Sequence, residues 1–236
     1  MTVNTEKLVY VLGLILCSFL LLTGAAGCRE KKIYKIGVSQ CSDDDWRNKM
    51  NAEIMREMIF HDDAIVEIRS ADDNSAKQID DIRYFVDNGF DIIIAAPNEA
   101  KALTPVIREV YESGKPVILF DRNINGEYFT SFQGADNEEI GKNAALTATR
   151  LTHDDARVIE IRGLAGSTPA ENRHSGFAAT ADSLGTVKIL GEGYGNWNEE
   201  EAEKVADSLL TLYPSANLIY AHNDRMSIGA GKVAKR

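Results

Sequence analysis

Beyond residue 32 the apolar positions alternate between two rhythms. "YKIGVS" (34–39) is short and β-branched and predicts a buried strand. From Asp45 to His61 the apolar residues Trp46, Met50, Ile54, Met58 and Ile59 recur at helical spacing. "AIVEIRS" predicts the next strand. Ser75 to Asn88 predicts a helix with Ile79, Ile82, Phe85 and Val86 on one face, ended by Gly89. Then come "DIIIAAP", a helix from Leu103 to Ser113 closed by Gly114, and "PVILF". Both apolar runs are too continuous for a one-sided sheet and suit strands covered on both faces.

A second series begins after "YFTSFQGADN". Glu138 to Leu151 predicts a helix and "RVIEI" a strand. The next helix opens with Thr168 as N-cap, Pro169 at the first helical position and Glu171 completing a capping box. "VKILGEGY", a helix from Asn198 to Tyr213, "NLIYA" and a last helix from Asp224 complete the series. Strands alternating with helices imply βαβ units and parallel sheets. The expected fold is therefore α/β, with two doubly wound parallel-sheet lobes at 33–133 and 134–236. The lobes join near Tyr128 to Gln133.

The first 31 residues obey another rule. Leu8 to Leu22 carries no charge, Lys7 precedes it and "TGAAG" comes next, which is the shape of a secretory signal. Cys28 directly follows Ala-Ala-Gly and resembles a bacterial lipoprotein cleavage site, where it becomes the lipidated first residue. The alternative is an uncleaved anchor, since Leu8 to Gly27 matches the ~20 residues that span a bilayer. Either reading exports the rest of the chain to a periplasmic site, anchored by lipid on Cys28 or by a transmembrane segment. Cys17 and Cys28 lie in this segment, which leaves Cys41 alone in the folded part, a packing residue without a disulfide partner.

Composition adds exclusions. The apolar and charged fractions are those of a globular chain. A formal charge of −10 argues against a nucleic-acid partner, which calls for a basic face. His61, His153, His174 and His222 show no metal spacing and read as surface or loop residues. "GEGYG" lacks the dinucleotide spacing. No nucleophile elbow, phosphate loop or metal cluster is legible, so neither a cofactor nor a catalytic residue is expected. An enzyme on this fold remains a distant alternative.

In open α/β sheets ligands bind beyond the carboxyl ends of the strands. Those ends carry Asp43, Asp45 and Trp46; Asp121, Arg122 and Asn123; Arg162, Glu171 and Arg173; Trp197; and Asn223 with Asp224. Carboxylates and amides pair with hydroxyls, arginine offers a fixed fork of donors, and indole faces cover the C–H face of a sugar ring. The set suits a neutral polyol better than an anion. Simpler roles compete at three places. Asp43 to Asp45 can serve the helix N-terminus, Trp46 can belong to the core, and Glu171 can be a cap.

The segments "ILFDRN", "GADNEEIGKNAA", "GSTPAENRHSGF" and "YAHNDRMSIGA" resemble periplasmic binding proteins of the ribose/galactose type. That fold is shared with the effector domains of lac-repressor-family regulators, and the resemblance runs from Lys35 to Arg236. It implies a ligand cleft between the two lobes, in which Asp121 and Arg122 hold sugar hydroxyls, Asn223 reaches in from the second lobe, and Trp46 and Trp197 stack on the ring. Asp43 falls at a polar ligand position. The implied ligand set is Asp43, Asp45, Trp46, Asp121, Arg122, Arg173, Trp197 and Asn223. Ribose binders place an arginine where Glu171 stands and an aromatic where Asp45 stands, which leaves the sugar open.

The opening "VSQCSDDDWRNKMN" also resembles sensor ectodomains of hybrid two-component histidine kinases from Bacteroides-like bacteria. The implied partners are a small sugar and either a membrane permease or a histidine-kinase module. The family's DNA-binding regulators carry a helix-turn-helix where this chain has its apolar segment. In the family the chain crosses between lobes three times. One crossing is read here, and "SIGAGKVAKR" ends inside a helix. The expectation is a C-terminally incomplete second lobe with weak binding on its own.

Overall fold

A computed structural model describes residues 31–235. The expectations for Leu8 to Gly27 and for Cys28 lie outside the described residues. Among those described, no helix is long and apolar enough to cross a membrane.

The first lobe runs β1 (Tyr34–Gln40), α1 (Asp45–Met58), β2 (Ala64–Ser70), α2 (Ser75–Asp87), β3 (Ile92–Ala95), α3 (Ala100–Glu112), β4 (Val117–Phe120) and β5 (Ser131–Gln133). Its strands form a parallel sheet in the order β2-β1-β3-β4-β5. The continuous apolar runs divide between two cores. Ile93, Ala95, Val117 and Leu119 pack with Ile82, Phe85, Leu103 and Ile107 of α2 and α3. Ile94, Ala96 and Phe120 pack on the opposite face with Val38, Cys41, and Met50 and Ile54 of α1. The cysteine is buried in that packing.

The second lobe runs α4 (Asn137–Leu151), β6 (Ala156–Arg162), α5 (Thr168–Leu184), β7 (Val187–Tyr194), α6 (Glu199–Leu212), β8 (Leu218–Ala221) and α7 (Asp224–Ala234). Its sheet is parallel, in the order β7-β6-β8. The helices α4 and α5 meet backbone to backbone. A Cβ on Gly141 would lie 2.1 Å from the Arg173 carbonyl, and one on Gly176 would lie 2.0 Å from that of Glu138.

Three local expectations are corrected. β5 occupies the stretch expected to be linker; its three residues alternate exposed, half-buried and exposed, with Phe132 alone turned toward the core, so no apolar run announces it. α3 begins at Ala100 rather than Leu103, with Pro105 inside its second turn. α5 is capped at Ser167 rather than Thr168, and Glu171 closes no capping box. Its carboxylate is drawn instead to the buried Arg162 (2.6 Å) and to the Gly166 N–H (3.1 Å).

Among the described residues, hydrogen bonds join the lobes at two places near the cleft. The Ala100 N–H, at the start of α3, donates to the Gly166 carbonyl (3.0 Å). The Asn123 N–H donates to the Thr168 hydroxyl (2.8 Å).

Candidate ligand-binding cleft

Between the carboxyl ends of the two sheets lies a cavity of about 430 Å³, within the range of about 300–1,000 Å³ usual for small-molecule sites. The first lobe supplies Asp44, Trp46, Arg47, Asp121 and Arg122. The second supplies Ile140, Pro169, Arg173, Trp197, His222, Asn223, Asp224 and Arg225.

The start of α1 decides which acid turns inward. A helix N-terminus leaves backbone N–H groups free, and the residue before it caps them. That residue is Asp44, whose Oδ1 accepts from the Arg47 N–H (3.0 Å) and whose Oδ2 accepts from the Ser42 hydroxyl (2.8 Å). Burial pushes its pKa up, but these bonds and the Arg47 charge outweigh that and hold it below the usual value. Asp43 and Asp45, expected in the cleft, are exposed and stand outside its lining, because the cap takes the inward position. Trp46 is no core residue. It is 55% exposed and lines the cleft, with the Arg47 guanidinium 4.7 Å from its ring centroid.

Arg47 was missed by sequence reasoning. Its side chain is 3% exposed and donates to Asp121 Oδ2 at 2.5 Å. The signal was present: Arg47, Asn51, Ile54 and Met58 share a stripe of α1, and a charge on an inward stripe marks a buried partner. Arg122 is held from below, donating to the Asn98 carbonyl (3.0 Å). Asn98 is itself fixed by Gln78, Ser75 and the Asp73 carbonyl.

On the second lobe, Arg173 donates to Asn137 Oδ1 (2.9 Å) and to the His222 carbonyl. Burial lowers its pKa. Asn223 caps α7, its side-chain oxygen accepting from the Met226 N–H (2.9 Å). Trp197 sits above Gly163, where a Cβ would lie 2.1 Å from the indole.

Beneath the cleft, Glu160 of β6 gathers two histidines. His222 Nδ1 accepts from the Gly163 N–H (3.3 Å), which leaves its Nε2–H to donate to Glu160 Oε1 (2.8 Å). His174 Nδ1 lies 2.9 Å from Glu160 Oε2. Burial raises the Glu160 pKa, but the two imidazoles outweigh it and hold the carboxyl below its usual value. Burial also depresses His222, against the pull of Glu160. The expectation of surface or loop histidines is corrected at His174, which is half-buried on α5; His222 does lie in a loop, between β8 and α7, but is buried there.

Six of the eight expected residues (Trp46, Asp121, Arg122, Arg173, Trp197 and Asn223) thus share one cavity. Two of the lining residues, Asp121 and Trp197, hold left-handed backbone with φ of 60° and 63°, a cost of order 1–3 kcal/mol each that can persist at ligand clamps. Arg47 Nη1 and Trp197 Nε1, both in lining residues, are buried donors without an acceptor. The cleft therefore offers carboxylates, guanidinium forks, two indole faces and spare donors, a combination fitted to hydroxyl groups on an apolar ring.

The family model described as the periplasmic binding protein domain matches residues 36–236. The ribose import binding protein of Bacillus subtilis is 26% identical, over 69% of this chain and 53% of its own length. The galactofuranose-binding protein of Escherichia coli is 29% identical, over 72% of this chain and 56% of its own. The chain thus spans about half the length of the curated relatives it matches. Among solved structures, the fructose-binding periplasmic domain of a hybrid two-component system is 44% identical with a TM-score of 0.83, covering 86% of this chain and 67% of that one. The structure of a galactofuranose-binding protein superimposes with a TM-score of 0.79 at 27% identity, covering 86% and 71%.

Proposed function

The chain belongs to the periplasmic binding protein domain family, and from that membership we propose that it captures a neutral monosaccharide between its two lobes without transforming it. The observation that carries the reading is the union of spare buried donors, left-handed backbone and two indoles in one cavity. Asp121, Arg122 and Asn223 hold hydroxyls, Trp46 and Trp197 cover the ring, and Arg173 adds a donor fork from the second lobe. The charges suit a neutral ligand, because the lining sets Asp44, Asp121 and Asp224 against Arg47, Arg122, Arg173 and Arg225.

Fructose is the first sugar to test, since the relative at 44% identity is a fructose-binding domain. That relative belongs to a hybrid two-component system, which favours sensing through a histidine-kinase module over delivery to a permease. The lobes work in the periplasm, held there through Cys28 or the apolar segment before it.

Calorimetry with fructose, ribose, arabinose, galactose and inositol tests the reading, with amino acids and phosphate as controls. One sugar should bind, weakly for this chain on its own, where the others do not. Arg122→Ala should weaken it by about 5–150-fold, the equivalent of the ~1–3 kcal/mol lost when a polar partner is left unpaired. A response confined to amino acids or phosphate would overturn the proposal.

A further inference from the structure

The second sheet holds an arrangement that sugar capture does not require. Strands β6 and β7 place Glu160 and Glu192 directly opposite each other. Like charges in register destabilise a strand pair, and Glu160 is fully buried, where a carboxylate needs a compensating partner. His174 enters from α5 and stands between them. Its Nδ1 lies 2.9 Å from Glu160 Oε2 and 3.4 Å from Glu192 Oε2. One ligand atom from each of the three residues falls within 4.8 Å of the others.

The remaining oxygens are tied elsewhere. Glu160 Oε1 accepts from His222 Nε2–H (2.8 Å), and Glu192 Oε1 accepts from Arg162 Nη1 (3.2 Å). Each carboxylate is thus held by one oxygen while the other turns toward the same imidazole nitrogen. Ligating groups in metal sites are oriented by outer partners in this way. The spacing also fits. An ion with His nitrogen at about 2.0–2.1 Å and carboxylate oxygen at about 2.0–2.2 Å, in tetrahedral array, sets its ligands roughly 3.4 Å apart.

We propose that Glu160, His174 and Glu192 form a binding site for one divalent cation of the zinc class, with solvent completing the coordination. One imidazole and two carboxylates suit that class. Calcium takes six to eight oxygens, and magnesium keeps an octahedron of oxygens. His174 and Glu192 are partly open to solvent and give the ion its way in. The Arg162 guanidinium beside Glu192 opposes the cation, so this site is weaker than one built from the same ligands alone.

The site does not depend on which ligand the cleft binds, and its test needs no sugar. The whole chain is stripped with chelator, confirmed folded by circular dichroism, and titrated with zinc chloride by calorimetry, with calcium and magnesium chloride in parallel. One equivalent of zinc should bind and raise the melting temperature, with no comparable heat from the other two ions. Glu192→Gln, at a partly exposed position, and His174→Ala should each weaken zinc by at least about tenfold, on the scale seen when metal sites lose a supporting group. A folded, chelated protein with no zinc heat and no thermal shift would overturn the proposal. So would zinc binding that both substitutions leave unchanged, which would place the ion elsewhere.

Discussion

Replacing Asp121 by asparagine removes one charge from the floor of the cleft and little else. Asp121 Oδ2 receives the Arg47 guanidinium at 2.5 Å, and Arg122 Nε lies 3.9 Å away. Asparagine is the right probe because residue 121 sits at φ 60°, a region asparagine tolerates and alanine does not. Arg47 is 3% exposed and would be left buried beside its already unpaired Nη1. Breaking a fully buried pair from one side costs about 3–5 kcal/mol, and an exposed pair contributes about 0–1. Asp121 is 29% exposed, which puts the expected loss between those limits, at about 2–3 kcal/mol. For a chain of this size that lowers the melting temperature by about 5–10 °C. The assay is ligand-free scanning calorimetry and urea unfolding of the parent, Asp121→Asn, Arg47→Met and the double variant. The cycle should return a coupling of about 2 kcal/mol between the two positions. A coupling below about 0.5 kcal/mol, within the scatter of independent sites, would refute the assignment of Asp121 as the counter-charge of Arg47.

Two further outcomes test the scaffold. Gly176→Ala puts a Cβ 2.0 Å from the Glu138 carbonyl and should cost about 1–3 kcal/mol in urea unfolding by forcing α4 from α5. Gly231→Ala in α7 meets no atom within 4 Å and should be neutral or stabilising by up to about 1 kcal/mol; equal losses at both would contradict the packing. Asp44→Ala should cost about 1 kcal/mol at neutral pH through loss of the α1 cap. Because the folded Asp44 pKa is depressed, its charged form contributes stability above its ordinary value, and that contribution fades as pH falls through the folded one. The gap between parent and variant should therefore narrow below about pH 4 in thermal melts, and a gap constant from pH 7 to 3 would refute the role.

The strands that bury both faces were legible because no polar residue interrupts them, as in "DIIIAAP". β5 was not, because an edge strand of three residues with one inward side chain leaves no pattern to detect. In the cleft, the tryptophans and the Asp121-Arg122 pair stood out as costly residues at strand ends. Arg47 did not, although its place on the inner stripe of α1 was readable. The Glu160 cluster joins residues up to 62 positions apart, a distance that sequence periodicity does not reach. Its trace was a single acid in the middle of "RVIEI", a charge in an otherwise buried strand. The cap of α5 misled for a related reason: Glu171 suited a capping box until the buried Arg162, nine residues earlier, claimed its carboxylate.

The bond from the Ala100 N–H to the Gly166 carbonyl has a temporal side. Ala100 opens α3, so its amide has no acceptor within the helix, and the acceptor comes from the opposite lobe. When the lobes part, that proton faces water and exchanges with deuterium; when they meet, it is protected. Its exchange rate is then a clock for the fraction of time the two halves spend apart, read from one backbone position outside the lining of the cleft.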